Sequence, residues 1–165
     1  MQELTGLDIR YTYVTDTPYL RGWLQRPDVQ HWFPVSEESE IEAAVQCWIG
    51  FSRYSSSLTA TVNGVPCGMG TLFLMPYRKV AHHCLFKIVV DPKYQRKGIG
   101  TALLKNLKHL AKNYFHLELI HIEVFEGNPF VHLLQKFDFQ EFARQEKYVK
   151  DSRGYHSRIL YESHL

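Results

Sequence analysis

The sequence lacks the features that mark several large classes of protein. Its three cysteines, Cys47, Cys67 and Cys84, lie far apart and form no CxxC pair, so neither a disulfide framework nor a zinc finger is indicated. No apolar run approaches the ~20 residues that a membrane-spanning helix needs. The first residues lack the basic and apolar regions of a signal peptide. We therefore predict a cytoplasmic protein with no membrane partner.

An excess of charge of one sign is also missing. The 19 Lys and Arg residues against 17 Asp and Glu leave a formal net charge of +2, whereas general nucleic-acid binders carry a strong basic excess. The composition is that of a globular protein, with 165 residues of which 45% are hydrophobic and 14% aromatic. Because no repeat or linker-like stretch interrupts the chain, we predict one domain over residues 1–165. Because its net charge is small, we predict that this domain does not bind nucleic acid.

Hydrophobic periodicity predicts an α+β fold with a mixed sheet. The predicted strands are 7–14, 57–62, 68–75, 82–90, 119–124, 142–149 and 155–161. The predicted helices are 17–24, 36–51, 99–114 and 129–136. In the second helix, Ser39 and Glu42 have the spacing of a capping box. In the third, Lys105, Lys108 and Lys112 are expected to face water, opposite an apolar face.

The most informative segment is 88–104, where a strand passes through Asp-Pro and the letters QRKGIG into the amphipathic helix. A helix N-terminus offers unpaired N–H groups and a partial positive charge, which together bind phosphate. Gly98 and Gly100 allow the backbone to approach a phosphate closely, and Arg96 and Lys97 add positive charge. The segment therefore predicts an anion site; the alternative is a solvated helix behind an ordinary glycine turn.

Other phosphate-binding loops fit this segment less well. A dinucleotide fingerprint needs a third glycine at position 103, which is Leu103, and a P-loop needs Lys after Gly98, where Ile99 stands. Metal chemistry is not indicated either, because the nine histidines form no HExxH or comparable ligand pattern.

With Gln95, Gly98 and Gly100 in an Arg/Gln-x-x-Gly-x-Gly/Ala pattern, the segment resembles the signature of the GNAT superfamily of N-acetyltransferases. In its general sequence features, the chain resembles most the polyamine and protein N-terminal (ribosomal-protein) acetyltransferases of that superfamily. The resemblance implies a three-layer α/β/α fold with a mixed, mostly antiparallel sheet of about seven strands, splayed between strands 4 and 5. It implies acetyl-CoA as cosubstrate and no metal. The implied cofactor contacts are Ile88, Val89 and Val90 on the strand and Gln95, Arg96, Lys97, Gly98, Ile99 and Gly100 on the loop.

A second match lies downstream, in the segment 121–139. In many members of the superfamily an Asn opens the next helix and contacts CoA, and Asn128 can take this role. The end of the pattern departs from the family, since Leu134 stands where a Tyr is usual and Asp138 where a Gly is usual. The tyrosine that commonly protonates the leaving thiolate is therefore absent from its usual place, which leaves Tyr148 or water as the general acid.

Acetyl transfer to an amine needs a base, because a lysine-like amine with a pKa of ~10.4 is almost entirely protonated at neutral pH. Alternation in LIHIEV places Glu123 on the face opposite the apolar residues, where a carboxylate calls for a reason. Its spacing of five residues from Asn128 also matches the base of ribosomal-protein acetyltransferases. We predict Glu123 as the base, through water, ahead of Glu126 and His121; the alternative is a carboxylate that pairs with a nearby Lys or faces solvent. The resemblance implies that the Val90 N–H stabilises the oxyanion.

The resemblance further implies that the first two helices, the 26–35 loop and the last hairpin cover the acceptor site. Glu37, Glu38, Glu40 and Glu42 in that region would attract a cationic amine, although acids in a first helical turn also simply suit the helix dipole. The expected function is acetyl transfer to a primary amine of a small molecule, peptide or protein, with homodimer formation left open. The alternatives are a non-catalytic acyl-CoA-binding module and a nucleic-acid-binding domain that uses the basic stretch 93–112.

Overall fold

The computed structural model describes residues 4–165, which form one seven-stranded sheet flanked by five helices. The strands are β1 (Leu7–Tyr11), β2 (Ser57–Val62), β3 (Val65–Phe73), β4 (His83–Val90), β5 (Leu119–Phe125), β6 (Gln140–Asp151) and β7 (Gly154–His164). The helices are α1 (Thr17–Leu24), α2 (Pro27–Gln30), α3 (Glu38–Gly50), α4 (Ile99–Asn113) and α5 (Phe130–Lys136). No helix within residues 4–165 has the length and apolar character needed to cross a membrane.

The strand order is β1-β2-β3-β4-β5-β7-β6, and β4 with β5 is the parallel pair among antiparallel neighbours. Short turns explain the antiparallel pairs: Asn63 and Gly64 both have positive φ and join β2 to β3, as a two-residue hairpin loop requires. Between the parallel strands, α4 forms the crossover connection. The predicted α+β fold with a mixed sheet is confirmed.

Helices cover both faces of the sheet and so make three layers. On one face α4 and α5 bury their apolar residues against side chains such as Phe86 and Ile120 of the central strands. On the other face α1 and α3 pack on Met69 and Val89. Two glycines of β3 let α4 lie close, because a Cβ at Gly70 would be 2.6 Å from Leu107 Cδ1.

The structure differs from the sequence-based expectations in three local details. The short helix α2 follows Arg26, within the segment 26–35 that was expected to be a loop. The capping contact of α3 is made by Glu40, which accepts from the Glu37 N–H at 2.9 Å, so the predicted Ser39–Glu42 pair is wrong. Lys108 does not face water, because its Nζ donates to Phe137 O at 2.7 Å and joins α4 to the end of α5.

Candidate functional site

The centre of the candidate site is a gap between β4 and β5. The two strands pair at only three positions, of which the last joins Leu85 to His121. Beyond this pair, β5 stays paired with β7 up to Phe125 and β4 stays paired with β3 up to Val90. The sheet is therefore splayed between its fourth and fifth strands, as the resemblance implied.

The backbone of β4 turns two residues toward this gap. Asp91 N donates to Cys67 O at 2.8 Å, and N–H groups point to alternate sides along a strand. The N–H and C=O groups of Ile88 and Val90 therefore point into the gap. Val89 instead directs its backbone N–H and C=O groups toward β3. Of the three strand residues that the resemblance implies as cofactor contacts, Val89 is therefore the one whose backbone does not face the gap.

The loop that follows β4 ends at the N-terminus of α4 with unusual backbone conformations. Gly98 is the N-cap, with φ of 83°, and Arg96 has φ of 62°. Within residues 4–165, none of the backbone N–H groups from Arg96 to Thr101 donates to a protein acceptor. Helices of this length offer their first N–H groups to an anion. The loop therefore places free donors and the side chains of Arg96 and Lys97 at the same end of β4 as the gap.

Helix α5 closes the other side of this loop. A Cβ on Gly100 would be in van der Waals contact with both Phe130 and Leu133, at 3.7 Å, so the first turn of α4 lies against α5. Asn128 accepts the Phe130 N–H with its Oδ1 at 3.0 Å, which starts the helix, and its Nδ2 has no acceptor within residues 4–165. Leu134 is fully buried in the core, so the usual position of the family's tyrosine holds an apolar packing residue.

Glu123 lies on the face of β5 opposite α4, beyond the last β4–β5 pair. Its Oε2 accepts from Arg158 Nη1 at 3.1 Å, and its Oε1 has no partner within residues 4–165. The side chain is 21% exposed. The carboxylate is thus paired with an arginine, whereas a lysine partner or open solvent was the alternative expected from sequence.

The other two candidate bases have different surroundings. Glu126 is exposed, and its Oε1 accepts from the Ser157 N–H at 2.9 Å, which ties it to the β7 backbone. His121 stands at the closed end of the gap, with its ring 5.5 Å from that of His83. Burial, helped by the nearby His83, lowers the pKa of His121 below its ordinary value of 6.5, and the neighbouring Glu162 only partly offsets this.

Tyr148 is brought to the same cluster by an irregularity in β6. The register with β7 shifts between Gln145 and Val149, and the ring of Tyr148 lies under the Arg158 guanidinium at 4.1 Å. The Phe125 ring is also near it, with ring centroids 6.4 Å apart. The phenol is 40% exposed. No spacing in the sequence predicts this arrangement, because a bulge sets it.

Sequence reasoning missed two basic residues on this face. Arg158 holds Glu123, and Lys87 lies on β4 on the same face, level with Glu123 if the Leu85–His121 register is continued. Alternation in β4 could have placed Lys87 on this face, but its place two residues beyond the last β4–β5 pair depends on the pairing of strands that are distant in sequence.

Two of the segments that the resemblance implies as a cover of the acceptor site contact each other. His31, after α2, accepts a hydrogen bond at Nδ1 from Arg153 at the tip of the β6–β7 hairpin. Burial and the nearby Arg153 lower the pKa of His31 below its ordinary value of 6.5. The helix and the hairpin therefore meet across this side of the sheet.

Two acids of α3, Glu40 and Glu42, are engaged by contacts within the chain. Glu42 accepts from Arg21 Nε at 2.8 Å, and this pairing, with a further bond from Gln46, lowers the pKa of Glu42 to about 2. Glu40 accepts from backbone and side-chain groups at Ser36 and from the Glu37 N–H. The Glu40 contacts agree with the simpler expectation that acids in the first turn suit the start of the helix, whereas Glu42 joins α3 to α1. Within residues 4–165, no three metal-ligating side chains lie close enough together to hold an ion.

The fold and the glycine loop agree with a comparison against protein families. The model of the acetyltransferase (GNAT) family matches residues 15–139, which is more than half of the chain, and the chain belongs to this family. The family resemblance expected from the loop is therefore confirmed.

Individual relatives are distant in sequence. The L-amino acid N-acetyltransferase AaaT of Escherichia coli (strain K12) is 25% identical over 93 residues, which cover 56% of this chain and 57% of that protein. The putative acetyltransferase yncA from Salmonella typhimurium, solved with its cofactor acetyl-CoA, superimposes with a TM-score of 0.83 at 15% identity, covering 98% of this chain and 95% of that one. The spermidine N-acetyltransferase from Vibrio cholerae, in complex with CoA and spermine, gives 0.79 at 14% identity, covering 97% and 96%. At these identities the solved structures establish a shared fold.

Proposed function

We propose that the chain transfers the acetyl group of acetyl-CoA to a primary amine by direct attack of the amine in a ternary complex. One observation carries the proposal: the open edge of β4 and the unpaired amides that begin α4 lie at the same end of the same strand. An extended cofactor arm with a diphosphate at its end needs both features in this order. Membership of the GNAT family supports the same assignment.

The residues fit acetyl-CoA at three places. The N–H groups from Arg96 to Thr101 would hold the diphosphate. The backbone groups of Ile88 and Val90 would pair with the amide groups of the extended arm, as a further strand would. The free Nδ2 of Asn128 would donate a further hydrogen bond. Bound in this way, acetyl-CoA supplies the thioester carbonyl that the amine attacks.

The chain then has to supply a proton acceptor and an oxyanion donor. We propose that Oε1 of Glu123 receives the proton of the acceptor ammonium through a water molecule, since Arg158 occupies only Oε2. The Val90 N–H, which points into the gap, would stabilise the developing oxyanion. With Leu134 in the core, the thiolate leaves without a tyrosine at that position and takes up, through water, the proton that the attacking nitrogen loses as the amide forms.

For the acceptor and for the cellular compartment we propose only the general class. The relatives include proteins named as an amino-acid and a spermidine acetyltransferase, which supports an amine acceptor without choosing one. The three cysteines are unpaired in the structure, which supports the cytoplasm as the compartment.

A thiol-release assay with acetyl-CoA tests this proposal against a panel of amino acids, polyamines, aminoglycosides and peptides with free N-termini. We expect turnover of at least one amine and calorimetric binding of CoA at low salt. Tight binding of CoA without turnover on any amine would instead favour the non-catalytic acyl-CoA module, for which the apolar Leu134 is the supporting observation. A purified chain that retains no CoA at low salt would overturn both.

A further inference from the structure

The face of the sheet beside the gap carries a cation without a counter-charge. Lys87 is partly buried on β4, on the side of Val89 and away from the core under α4. Its Nζ makes no hydrogen bond and no ion pair with any group of residues 4–165, and it lies over the ring of Phe73, 5.5 Å from the ring centroid. A partly buried lysine that has no counter-ion can bind an anionic group of a ligand.

The charges around Lys87 leave an excess of one positive charge at the gap. Glu123 is neutralised by Arg158, and no carboxylate within residues 4–165 forms an ion pair with Lys87. The Arg158 guanidinium uses Nη1 for Glu123 and Nε for Gln145, so its Nη2 has no acceptor within residues 4–165. The Lys87 ammonium on β4 and the Nη2 of Arg158 on β7 are therefore two positively charged groups without an acceptor within residues 4–165, on the strands on either side of β5.

We propose that the amine acceptor carries a carboxylate beside its amino group, as a free α-amino acid or a close analogue does, and that Lys87 and Arg158 bind this carboxylate. The inference rests on the proposed function, because it names the substrate class of the same site. Glu123 then faces the amino group, and the two cations face the acid group. The ammonium and the carboxylate of an α-amino acid are attached to the same carbon, which matches a site where the Glu123 carboxylate lies between the cationic side chains of Lys87 and Arg158.

The alternatives have the wrong charge for this arrangement. A polyamine has no anion to offer Lys87 and would be repelled by it. The N-terminus of a peptide presents an uncharged amide where a free amino acid presents its carboxylate. Discrimination therefore depends on the acid group, and matched pairs of substrates can measure it.

The test compares each amino acid with its own α-carboxamide in the thiol-release assay. The carboxamide keeps the amine and the side chain and removes only the charge. Its amine is also less basic, so more of it is neutral near neutral pH, which biases the comparison against the proposal. We expect kcat/KM for the best acid to exceed that for its carboxamide by about 10- to 100-fold, as loss of a hydrogen bond to a charged group predicts.

Variants assign the preference to Lys87. Lys87→Met is expected to raise KM for the acid by about 10- to 100-fold and to leave KM for the carboxamide and the affinity for CoA unchanged. Lys87→Arg should retain the preference. Lys79→Met, which removes the same charge from an exposed turn before β4, should leave both substrates unaffected. A purely structural role of Lys87 against Phe73 would change acid and carboxamide kinetics equally.

The outcomes separate this inference from the proposed function. If the wild-type chain acetylates polyamines or carboxamides as well as free acids, the inference is wrong and the acetyltransferase proposal stands. Equal loss on both members of a pair in Lys87→Met, with Lys87→Arg equally impaired, would also refute it. If no amine of any class is acetylated, the proposed function fails, and the inference fails with it.

Discussion

Nη1 of Arg158 on β7 donates to Oε2 of Glu123 on β5 at 3.1 Å, across two strands that pair along the full length of β5. The guanidinium is itself held against the ring of Tyr148 at 4.1 Å. The Glu123 carboxylate is therefore fixed by groups on a continuous sheet, at the edge of a gap that opens toward the unpaired amides of the α4 N-terminus. A carboxylate held at one oxygen keeps the other oriented toward a water molecule or a substrate.

Replacing Glu123 by Gln tests its role as the base. Glutamine has nearly the same shape and its Oε1 can still accept from Arg158, but it cannot take up a proton. We expect kcat to fall by about 10²–10⁴-fold, the usual contribution of a general base, while the affinity for CoA stays unchanged. Steady-state kinetics with the best amine, together with calorimetry of CoA binding, measure the two effects separately.

Glu126→Gln is the matched control, because Glu126 is three residues along the same segment and its Oε1 is occupied by the Ser157 N–H. We expect a near-normal rate for this variant. A near-normal rate for Glu123→Gln, combined with a large loss for Glu126→Gln, would move the base to Glu126.

The Gly98→Ala variant tests the phosphate loop. Gly98 has φ of 83°, and this left-handed backbone conformation costs a residue with a Cβ about 1–2 kcal/mol of free energy. The new methyl group also lies on the loop that offers its amides to the cofactor. We expect the affinity for CoA to fall at least tenfold, measured by calorimetry, with a small loss of thermal stability.

Gly22→Ala provides the control for this loss. Gly22 is inside α1, its φ is not positive, and nothing lies within 4 Å of an added Cβ. We expect an unchanged affinity for CoA and a gain in stability of about 0.5–1 kcal/mol, since alanine favours the helix. Equal affinity for CoA in wild type and Gly98→Ala would contradict the assignment of this loop.

Much of the fold could be predicted from the sequence because local patterns determine it. The period of α4, the Asn63–Gly64 turn and the loop around Gly98 are signals that lie within a few residues of one another. The family pattern then predicted the splay between the fourth and fifth strands, which the three-position pairing of β4 with β5 confirms. Strand ends were less accurate, and β6 extends beyond its predicted bounds to Gln140–Asp151.

What the sequence could not predict depends on contacts between distant segments. Lys108 has the spacing of a solvent-facing lysine, yet Ser163 Oγ and Phe137 O satisfy its ammonium. Burial lowers the pKa of Lys108 below its ordinary value of 10.5. Arg158 is 35 residues from Glu123 in the chain, so only the antiparallel register of β5 and β7 brings them together. Lys87 likewise becomes informative only when the charges around it are known.

The approach of α4 to the sheet depends on Gly70. An added Cβ would lie 2.6 Å from Leu107 Cδ1 and 3.3 Å from Ile88 Cγ1, and Leu107 is itself fully buried. We expect Gly70→Ala to lower the free energy of unfolding by about 1–3 kcal/mol through overpacking. In the double variant with Leu107→Ala the total loss should be smaller than the sum of the two single losses, because the second change makes room for the methyl group.

Urea denaturation of the four proteins in this cycle measures the coupling. Gly50→Ala serves as the control, because Gly50 has helical φ and ψ and open space around it, and it should gain about 0.4–1 kcal/mol. Additive losses for Gly70 and Leu107 would mean that the strand, not the helix, accommodates the methyl group.

Asp16 makes the stability of the fold depend on pH. Its carboxylate is 3% exposed and accepts from both terminal nitrogens of Arg10, from the Tyr13 N–H and from Thr59 Oγ1, at 2.8–2.9 Å. Burial alone would raise the pKa of Asp16, but these hydrogen bonds outweigh it and hold that pKa below the ordinary value of 3.8. The stabilisation is therefore complete above that ordinary value and is lost as the pH falls through the lower pKa of the folded state.

We expect Asp16→Asn to lower the free energy of unfolding by about 2–4 kcal/mol at neutral pH, because Arg10 loses its counter-charge in a partly buried position. The difference between this variant and the wild type should stay constant from neutral pH down to about pH 4 and then shrink, as Asp16 of the wild type becomes protonated. Urea titrations at a series of pH values measure it. Asp28→Asn, which breaks the exposed pair with Arg26, should change stability little at any pH. A difference for Asp16→Asn that persists undiminished in strong acid would show that shape, and not charge, makes Asp16 stabilising.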